Sequence, residues 1–593
     1  MVEFELSDNA LHVLEARYLR RDAAGHVVES PLGMFERVAR AVAEGELGEG
    51  SAAEAARWES EYLDMLTALD FLPNSPTLMN AGLPLGQLSA CFVLPVEDSM
   101  ESIFEALKQM ALIQRTGGGT GFSFSRLRRR GESVASTGGE ASGPVSFMKI
   151  FDCATEHVKQ GGKRRGANMG ILRVDHPDVM EFIACKLDGK SLSNFNISVG
   201  VTDRFMDAVR RDMPYDLVNP GTGRPVGKMS ARRVLLDMAG AAWRTGDPGL
   251  VFLDAINRRN PTPQLGPIEA TNPCGEIPLL PHESCNLGSI NLLRMIRKSG
   301  GQAAVDLEKL RKTVARAVRF LDDVITVSRY PLPEVEAVTR GNRKIGLGVM
   351  GFADMLIHLG IPYGSRVALS TAGRLMHFIS ETALDASRQL AGVRGVFPNW
   401  KGSIYEARKL EVRNATRTAI APTGTISIIA DASAGIEPLF ALAYRRSHVL
   451  SGETLHEVSP VLRQVLEAKG LDAGRVIESV LKNGRLGPAP GIPEKVRRLF
   501  VTALDLSPEQ HIRMQAAFQR HVDNSVSKTV NLPAGASAED IARAYVMAWE
   551  LGLKGITVYR YGSKEEQVLE LGIEEEPHPT ARKLSCAVRA CDL

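Results

Sequence analysis

Apolar residues recur at helical spacing near the start of the chain, at Leu11, Val13 and Leu14 and again at Met34, Phe35, Val38, Ala39 and Val42. Residues 1–70 are therefore predicted as a helical region, polar enough to cap a larger body. Asp98-Ser99-Met100-Glu101 has the spacing of a capping box at a helix start, with Met100, Ile103, Phe104, Leu107 and Met110 on one face and a glycine run as the stop. A second long amphipathic helix is predicted over 306–329 from Leu307, Leu310, Val314, Val318, Leu321 and Ile325, ended by Pro331. Short β-like runs alternate with these helices, at Cys91 to Leu94 before Pro95, Ile171 to Val174, Asn196 to Val201 and Lys344 to Phe352. That alternation predicts an α/β architecture, and periodicity carries the argument no further. Residues 71–570 are read as one body. From about residue 571 the run Glu574-Glu575-Glu576-Pro577-His578-Pro579 reads as a linker to a mobile tail, 571–593.

Composition narrows the class. Of 593 residues, 44% are hydrophobic and 24% charged, which is ordinary for a globular protein. The formal charge of +2 gives no general attraction to nucleic acid or anionic lipid, so phosphate recognition must be local. No apolar run approaches the roughly 20 residues needed to cross a bilayer. Met1-Val2-Glu3-Phe4-Glu5-Leu6 lacks the basic-then-apolar pattern of a signal peptide, so a cytoplasmic location is expected. Seven cysteines are too few for a disulfide scaffold in so long a chain, and in a reducing compartment a disulfide is expected to be transient and catalytic.

The densest chemistry lies in Asn272-Pro273-Cys274-Gly275-Glu276, one thiol between an amide and a carboxylate with proline and glycine fixing the backbone. In an extended segment Asn272, Cys274 and Glu276 would project the same way and converge on one small substrate. An ordinary turn uses the same residue types. Cys285 follows eleven residues after Cys274, and Cys91 sits in Ser89-Ala90-Cys91-Phe92-Val93-Leu94. Cys153 and Cys185 are read as small buried hydrophobes. Pro422-Thr423-Gly424-Thr425-Ile426-Ser427 offers hydroxyls and backbone N–H groups that suit an anion without net positive charge, although such residues are also common in turns. Gly117 to Gly121 is not a Walker loop, for it lacks the Gly-Lys-Ser/Thr ending. Gly161-Gly162-Lys163-Arg164-Arg165-Gly166-Ala167-Asn168 reads by itself as a solvated basic loop. Cys586 and Cys591 form a C-x4-C pair beyond the acidic linker. A structural zinc would need further ligands, and no second Cys or His pair lies nearby in the tail.

These motifs occur together with Ser75-Pro76-Thr77-Leu78-Met79-Asn80-Ala81-Gly82, Ala421 to Ser427 and Gly435-Ile436-Glu437-Pro438, in the order found in the large, catalytic subunit of ribonucleotide reductase. The chain resembles that family from about residue 70 to 560. The resemblance implies a ten-stranded α/β barrel of two five-stranded halves, with the Cys274 loop as a finger through its centre. It implies that Cys274 is the radical thiol that takes the ribose 3'-hydrogen, that Glu276 is the general base on the 3'-hydroxyl and that Asn272 holds the sugar. Cys91 and Cys285 would supply the proton and two electrons and end as a disulfide. Ser75, Ala90, Gly119, Pro422, Thr423, Gly424, Thr425 and Ile426 would bind the ribonucleotide. Asp98, Arg128 and Arg164 would bind a deoxynucleoside triphosphate or ATP effector that sets specificity, and the glycines around Arg164 would let the loop take different shapes for different effectors. Cys586 and Cys591 would relay electrons from a thioredoxin-like donor to the buried disulfide.

The radical source divides this family. Lys554 to Ser563 contains Tyr559-Arg560-Tyr561 rather than the adjacent tyrosine pair of the oxygen-dependent class. This stretch, and Val13-Leu14-Glu15-Ala16-Arg17-Tyr18-Leu19, resemble the adenosylcobalamin-dependent class II enzymes. Neither the Asp-x-His-x-x-Gly motif of cobalamin mutases nor a glycyl-radical motif is found, and no additional amino-terminal nucleotide-binding cone is recognised. The expected protein is a homodimer that uses adenosylcobalamin, with no metal site of its own and no direct nucleic-acid or membrane partner. A class I large subunit needing a metal-bearing radical subunit, and a silent nucleotide-binding relative, are the alternatives. Whether the substrate is a diphosphate or a triphosphate stays open.

Overall fold

The computed structural model describes residues 6–48, 50–134, 138–160, 164–300, 302–450, 453–486, 492–563 and 569–571. Its centre is a ring of strands. β1 (Cys91–Leu94), β2 (Gly119–Ser123), β3 (Asn168–Arg173), β4 (Phe195–Val201) and β5 (Gly249–Phe252) pair in that order, all parallel. β6 (Glu283–Asn291) pairs parallel with β7 (Ile345–Met350), and β8 (Thr529–Leu532) with β9 (Gly555–Arg560). The gap between β7 and β8 is filled by the extended segment 418–420, where Thr418 bridges Leu347 and Ile420 bridges Val526, both parallel. That segment is the tenth member of the ring. The two parallel halves meet antiparallel at both seams, β1 against β6 and β5 against β9, so the sheet closes on itself as the ten-stranded barrel expected from the sequence. A short strand, Phe71–Pro73, adds to β6 outside the ring.

Each parallel step requires a crossover, and helices supply them. Met100–Arg115 joins β1 to β2, Pro144–His157 lies between β2 and β3, Leu307–Val327 between β6 and β7, and Ala538–Glu550 between β8 and β9. Strand alternation then sorts the apolar residues into two layers. Phe92, Leu94, Leu172, Leu250, Phe252, Val530, Leu532, Ile556 and Val558 pack outward with the helices. Cys91, Val93, Ile171, Val251 and Cys285 pack inward with Ala270, Ile277 and Leu279 of a central hairpin. The barrel is wide, and this hairpin fills it.

The amino-terminal region is helical as predicted, with Asp8–Arg17, Pro31–Ala43 and Ala52–Thr67 capped by the side chains of Ser7, Ser30 and Ser51. The helix read at Asp98 begins one residue later than its pattern suggests. Ser99 is the cap and accepts from Ser102 N, because the Asp98 carboxylate is turned towards Arg128. Its apolar stripe is also divided: Ile103 and Met110 are buried, whereas Met100 and Phe104 are exposed. The described residues form two compact units, residues 1–440 with 501–567, and Ala441–Phe500 with the strand Leu569–Leu571. The second unit is a hairpin, Ala443–Leu450 and Glu453–Val458, extended by Leu569–Leu571 and accompanied by helices Pro460–Ala468 and Ala473–Asn483. This second unit has no counterpart in the sequence reading. Among the described residues no helix is long and apolar enough to cross a membrane.

Candidate active site

Ala270–Thr271 and Pro278–Leu279 form an antiparallel two-stranded hairpin, with residues 272–277 as its tip. Both ends are clamped. Asn257 donates to Ile268 O and accepts from Ile268 N, each at 2.9 Å. On the return strand the buried Glu283 carboxylate accepts from Leu280 N (2.8 Å), Asn342 Nδ2 (2.6 Å) and Lys344 Nζ (2.7 Å). The glycine run of β2 is explained by this hairpin. A Cβ at Gly121 would lie 1.7 Å from Thr271 O, and one at Gly119 would lie 2.9 Å from Pro273 Cγ, so only glycine lets the finger lie this close to the barrel wall.

The tip is a turn, not the extended segment considered from sequence. Asn272 N donates to Ile277 O, Gly275 N donates to Asn272 O, and Gly275 has φ +79°. Asn272 Oδ1 accepts from Ile277 N at 3.0 Å, while its Nδ2 donates to Cys91 Sγ at 3.1 Å. Asn272 therefore fixes the turn and touches a thiol, two duties the sequence reading missed. Asn196 Nδ2 donates to Pro273 O, and Ser525 N donates to Glu276 O, tying the tip to both halves of the barrel.

Asn272, Cys274 and Glu276 nevertheless converge. They line a cavity of about 230 Å³ together with Ser75, Ala90, Cys91, Gly119 and Pro422 to Ile426, so every residue assigned to substrate binding from sequence lies on the same wall system. Asn74, Ala167 and Leu287 to Ser289 also line it, and the sequence reading names none of them for this role. Thr423 adopts φ +56°, and its hydroxyl accepts from Gly435 N at 2.7 Å, which locks the Thr-Gly-Thr turn to the Gly435 to Pro438 segment. From the helical region, the Tyr18 hydroxyl lies 2.7 Å from Ser75 Oγ.

The three thiols differ in access. Cys91 and Cys285 are directly opposite in the antiparallel pairing of β1 with β6 and both are buried, while Cys274 is exposed at the tip. Opposed residues on antiparallel strands have Cα atoms about 4.5–5.5 Å apart, within the range a disulfide spans. Cys285 is behind Cys91 as seen from the cavity, and its Sγ donates to Asn286 O (3.3 Å) and Lys344 O (3.5 Å). Burial, with the nearby Glu283 carboxylate adding to it, pushes the Cys285 thiol well above the usual range, so it keeps its proton at neutral pH.

Asp98 and Arg128 lie together. Arg128 Nε donates to Asp98 Oδ2 at 2.8 Å and Arg128 N to Asp98 Oδ1 at 3.1 Å, with both side chains about one-third exposed. Arg164 lies in a two-residue strand, Arg164–Arg165, paired with Lys159–Gln160. The segment after it reaches the cavity at Ala167 and continues into Asn168, whose side chain is held by Gln114, Thr120 and Thr155. Cys153 is exposed on its helix, which corrects its reading as a buried hydrophobe: it falls on the solvent side of Pro144–His157, between the buried positions Phe151 and Thr155. Cys185 is half-buried, and burial raises its thiol to about 12. Cys586 and Cys591 lie outside the described residues. Among the described residues no group of three His, Cys, Asp or Glu side chains could hold a metal ion.

Comparison with known proteins agrees with this geometry. Residues 89–559 match the ribonucleotide reductase barrel domain, and residues 4–86 match the all-alpha domain of the same family. The chain belongs to the large-subunit family of ribonucleotide reductases. It is 49% identical to the vitamin B12-dependent ribonucleoside-diphosphate reductase of Thermoplasma acidophilum, over 98% of this chain and 82% of that protein. It is 50% identical to the protein of the same description from Mycobacterium tuberculosis, over 100% of this chain and 85% of that one. In fold it is similar to the alpha subunit of the Actinobacillus ureae class Id ribonucleotide reductase, with a TM-score of 0.77 and 23% identity over 95% of this chain and 98% of that one.

Proposed function

We propose that this protein is an adenosylcobalamin-dependent reductase that converts ribonucleoside diphosphates to 2'-deoxyribonucleoside diphosphates. The observation that carries the reading is the single cavity in which an exposed thiol, a buried thiol backed by a second, a carboxylate and a phosphate-type turn meet. The near-half identity to B12-dependent reductases over almost the whole chain supports the cofactor and the diphosphate substrate.

The site fits an external radical source. Cys274 is the exposed member of the three thiols, so its sulfur can be reached from outside the fold, and a Cβ at the adjoining Gly275 would meet nothing within 4 Å. Adenosylcobalamin bound there would supply a carbon radical, and Cys274 would be the residue that gives up its S–H hydrogen atom to it. Cys274 then removes the 3'-hydrogen of the ribose, and Glu276 accepts the 3'-hydroxyl proton. The 2'-hydroxyl leaves as water with a proton from Cys91. Cys91 and Cys285 deliver two electrons and the second proton and become a disulfide. Cys274 returns its hydrogen to C3', and Glu276 returns its proton to the 3'-oxygen. The sum is ribonucleotide plus two thiols giving deoxyribonucleotide, water and one disulfide. Asn272 donates to Cys91 Sγ, which steadies negative charge on that sulfur as its proton departs.

Turnover needs the disulfide reduced, and Cys586 with Cys591 is proposed as the relay from a thioredoxin-like donor. Changing both to serine is expected to abolish thioredoxin-driven multiple turnover while one turnover per prereduced site remains. A small dithiol should partly restore the rate. Unchanged thioredoxin-driven turnover would show that the donor reaches Cys91–Cys285 directly. A structural zinc role would instead make thioredoxin-driven and dithiol-driven rates fall together, with loss of bound metal.

Effector control is proposed at Asp98, Arg128 and Arg164, because the Arg164 segment runs on to Ala167 in the cavity wall. Saturating dATP is expected to redirect substrate choice without silencing all substrates, measured as relative rates on the four ribonucleotides. Complete inhibition of every substrate would contradict this. The exposed Met100 and Phe104 on the helix that begins beside Asp98 support a twofold dimer sharing that site. The direct test of the reaction is peptide mapping after a single turnover without reductant, in which the Cys91–Cys285 disulfide should form in proportion to deoxyribonucleotide. Product without that disulfide would refute the electron source.

A further inference from the structure

Little packing holds Cys274 in place. Within the tip Asn272, Pro273 and Glu276 are buried, but Cys274 is exposed and Gly275 only half-buried, and a Cβ at Gly275 would meet nothing within 4 Å. The place of the sulfur is therefore set by hydrogen bonds on the neighbouring peptides. Those inside the turn, made by Asn272 and Gly275, fix its shape. Where that shape sits inside the barrel depends on bonds to the wall. Asn196 Nδ2 makes one of them, donating at 2.9 Å to Pro273 O, on the peptide that leads into Cys274. A carbonyl can only accept, so the nitrogen must face it and the orientation of the Asn196 amide is fixed.

Strand register explains how β4 reaches the tip. Gly121, Met169 and Asn196 form one row across β2, β3 and β4, and side chains in such a row share a face of the sheet. Met169 packs with the inward layer, so the row faces the finger. At Gly121 the wall touches the finger directly, and at Asn196 a polar side chain spans to it. Asn196 is also the exposed residue in a strand that is otherwise buried. Such a side chain carries little packing, and a hydrogen bond open to water adds little to stability. What it supplies is position. Cys274 must meet the radical source and then the ribose C3', and misplacing reacting groups by about 1 Å costs a rate about 10²-fold. We infer that Asn196 is a positioning residue for the radical thiol, acting through the Pro273 carbonyl to hold the Cys274 sulfur where hydrogen transfer needs it. The inference rests on the reaction proposed above.

Two substitutions test this. Asn196→Asp keeps the shape of the side chain but sets an oxygen against the Pro273 carbonyl, and Asn196→Ala removes the group. In the full-length protein with adenosylcobalamin, a small dithiol and CDP, both should lower kcat about tenfold or more, with the CDP Kd within about a factor of two of the parent and the thermal midpoint unchanged. The loss should fall on hydrogen transfer, so the isotope effect on kcat with CDP deuterated at C3' should rise above that of the parent. A further readout needs no cofactor: the rate at which iodoacetamide alkylates Cys274, followed by peptide mass, should change about threefold or more as the tip shifts. Parent-like kcat in N196D overturns the proposal. A loss of kcat matched by a rise in CDP Kd makes Asn196 a substrate contact, and a loss with a lowered thermal midpoint and the parent's isotope effect makes it a structural one; either result overturns the positioning role. If the unsubstituted chain forms no dCDP, the proposed reaction itself fails, an outcome distinct from these. The alkylation rate then decides for Asn196 alone, and unchanged Cys274 reactivity in N196D shows that it does not hold the thiol.

Discussion

Cys274→Ala and Cys274→Ser are each expected to bring multiple-turnover nucleotide reduction to background while leaving nucleotide affinity within about a factor of two and the thermal midpoint unchanged. The thiol is exposed at the tip of a turn, so truncating it removes no core packing, and exposed substitutions of this kind usually change stability by less than about 0.5 kcal/mol. The backbone of the tip is held elsewhere, by Asn272, by Asn196 on Pro273 O and by Ser525 on Glu276 O. What the substitution removes is the weak S–H bond. A serine O–H is too strong to give its hydrogen to a carbon radical, so even the conservative replacement cannot start the reaction. Substantial activity in C274A, measured as deoxyribonucleotide formed per chain over many turnovers, would defeat the mechanism.

Glu276→Gln is expected to lower kcat about 10² to 10⁴-fold, the span seen when one general base is removed. The side chain is almost fully buried in the cavity wall, and glutamine has nearly the same shape, so the loss should fall on the chemical step. Comparing kcat with nucleotide Kd checks this: a rate within about threefold of the parent would mean that another group takes the 3'-hydroxyl proton, and a large rise in Kd would make Glu276 a binding residue instead.

The sequence and the structure agree where the information is local, and part where it is not. The helix over 306–329 is found at Leu307–Val327 because its apolar stripe and its cap at Asp306 are both written in consecutive residues. The β-like runs at Cys91 and Asn196 are strands for the same reason. Ring closure is another matter. The tenth position is a segment held by isolated bridges at Thr418 and Ile420, with too little regular strand to leave a period in the chain. Motif order, through the family resemblance, supplied what periodicity could not. The convergence of Asn272, Cys274 and Glu276 was expected from strand alternation and is reached by a turn, because Gly275 at positive φ and the Asn272–Ile277 bonds fold the tip. Cys91 facing Cys285 depends on register between strands nearly two hundred residues apart, which no local pattern encodes. The grip of Asn196 on Pro273 O likewise joins residues 77 apart in the chain and becomes visible only in the fold.

The central claim is that one chain, with adenosylcobalamin as its radical source, reduces ribonucleotides without a second protein subunit. The most direct measurement incubates the purified chain anaerobically with adenosylcobalamin, CDP, a specificity effector and a small dithiol, and follows dCDP by chromatography. Many turnovers per chain are expected, none when adenosylcobalamin is omitted and none from C274A. Product that forms only when an iron- or manganese-bearing radical subunit is added, and does so without adenosylcobalamin, would contradict the account.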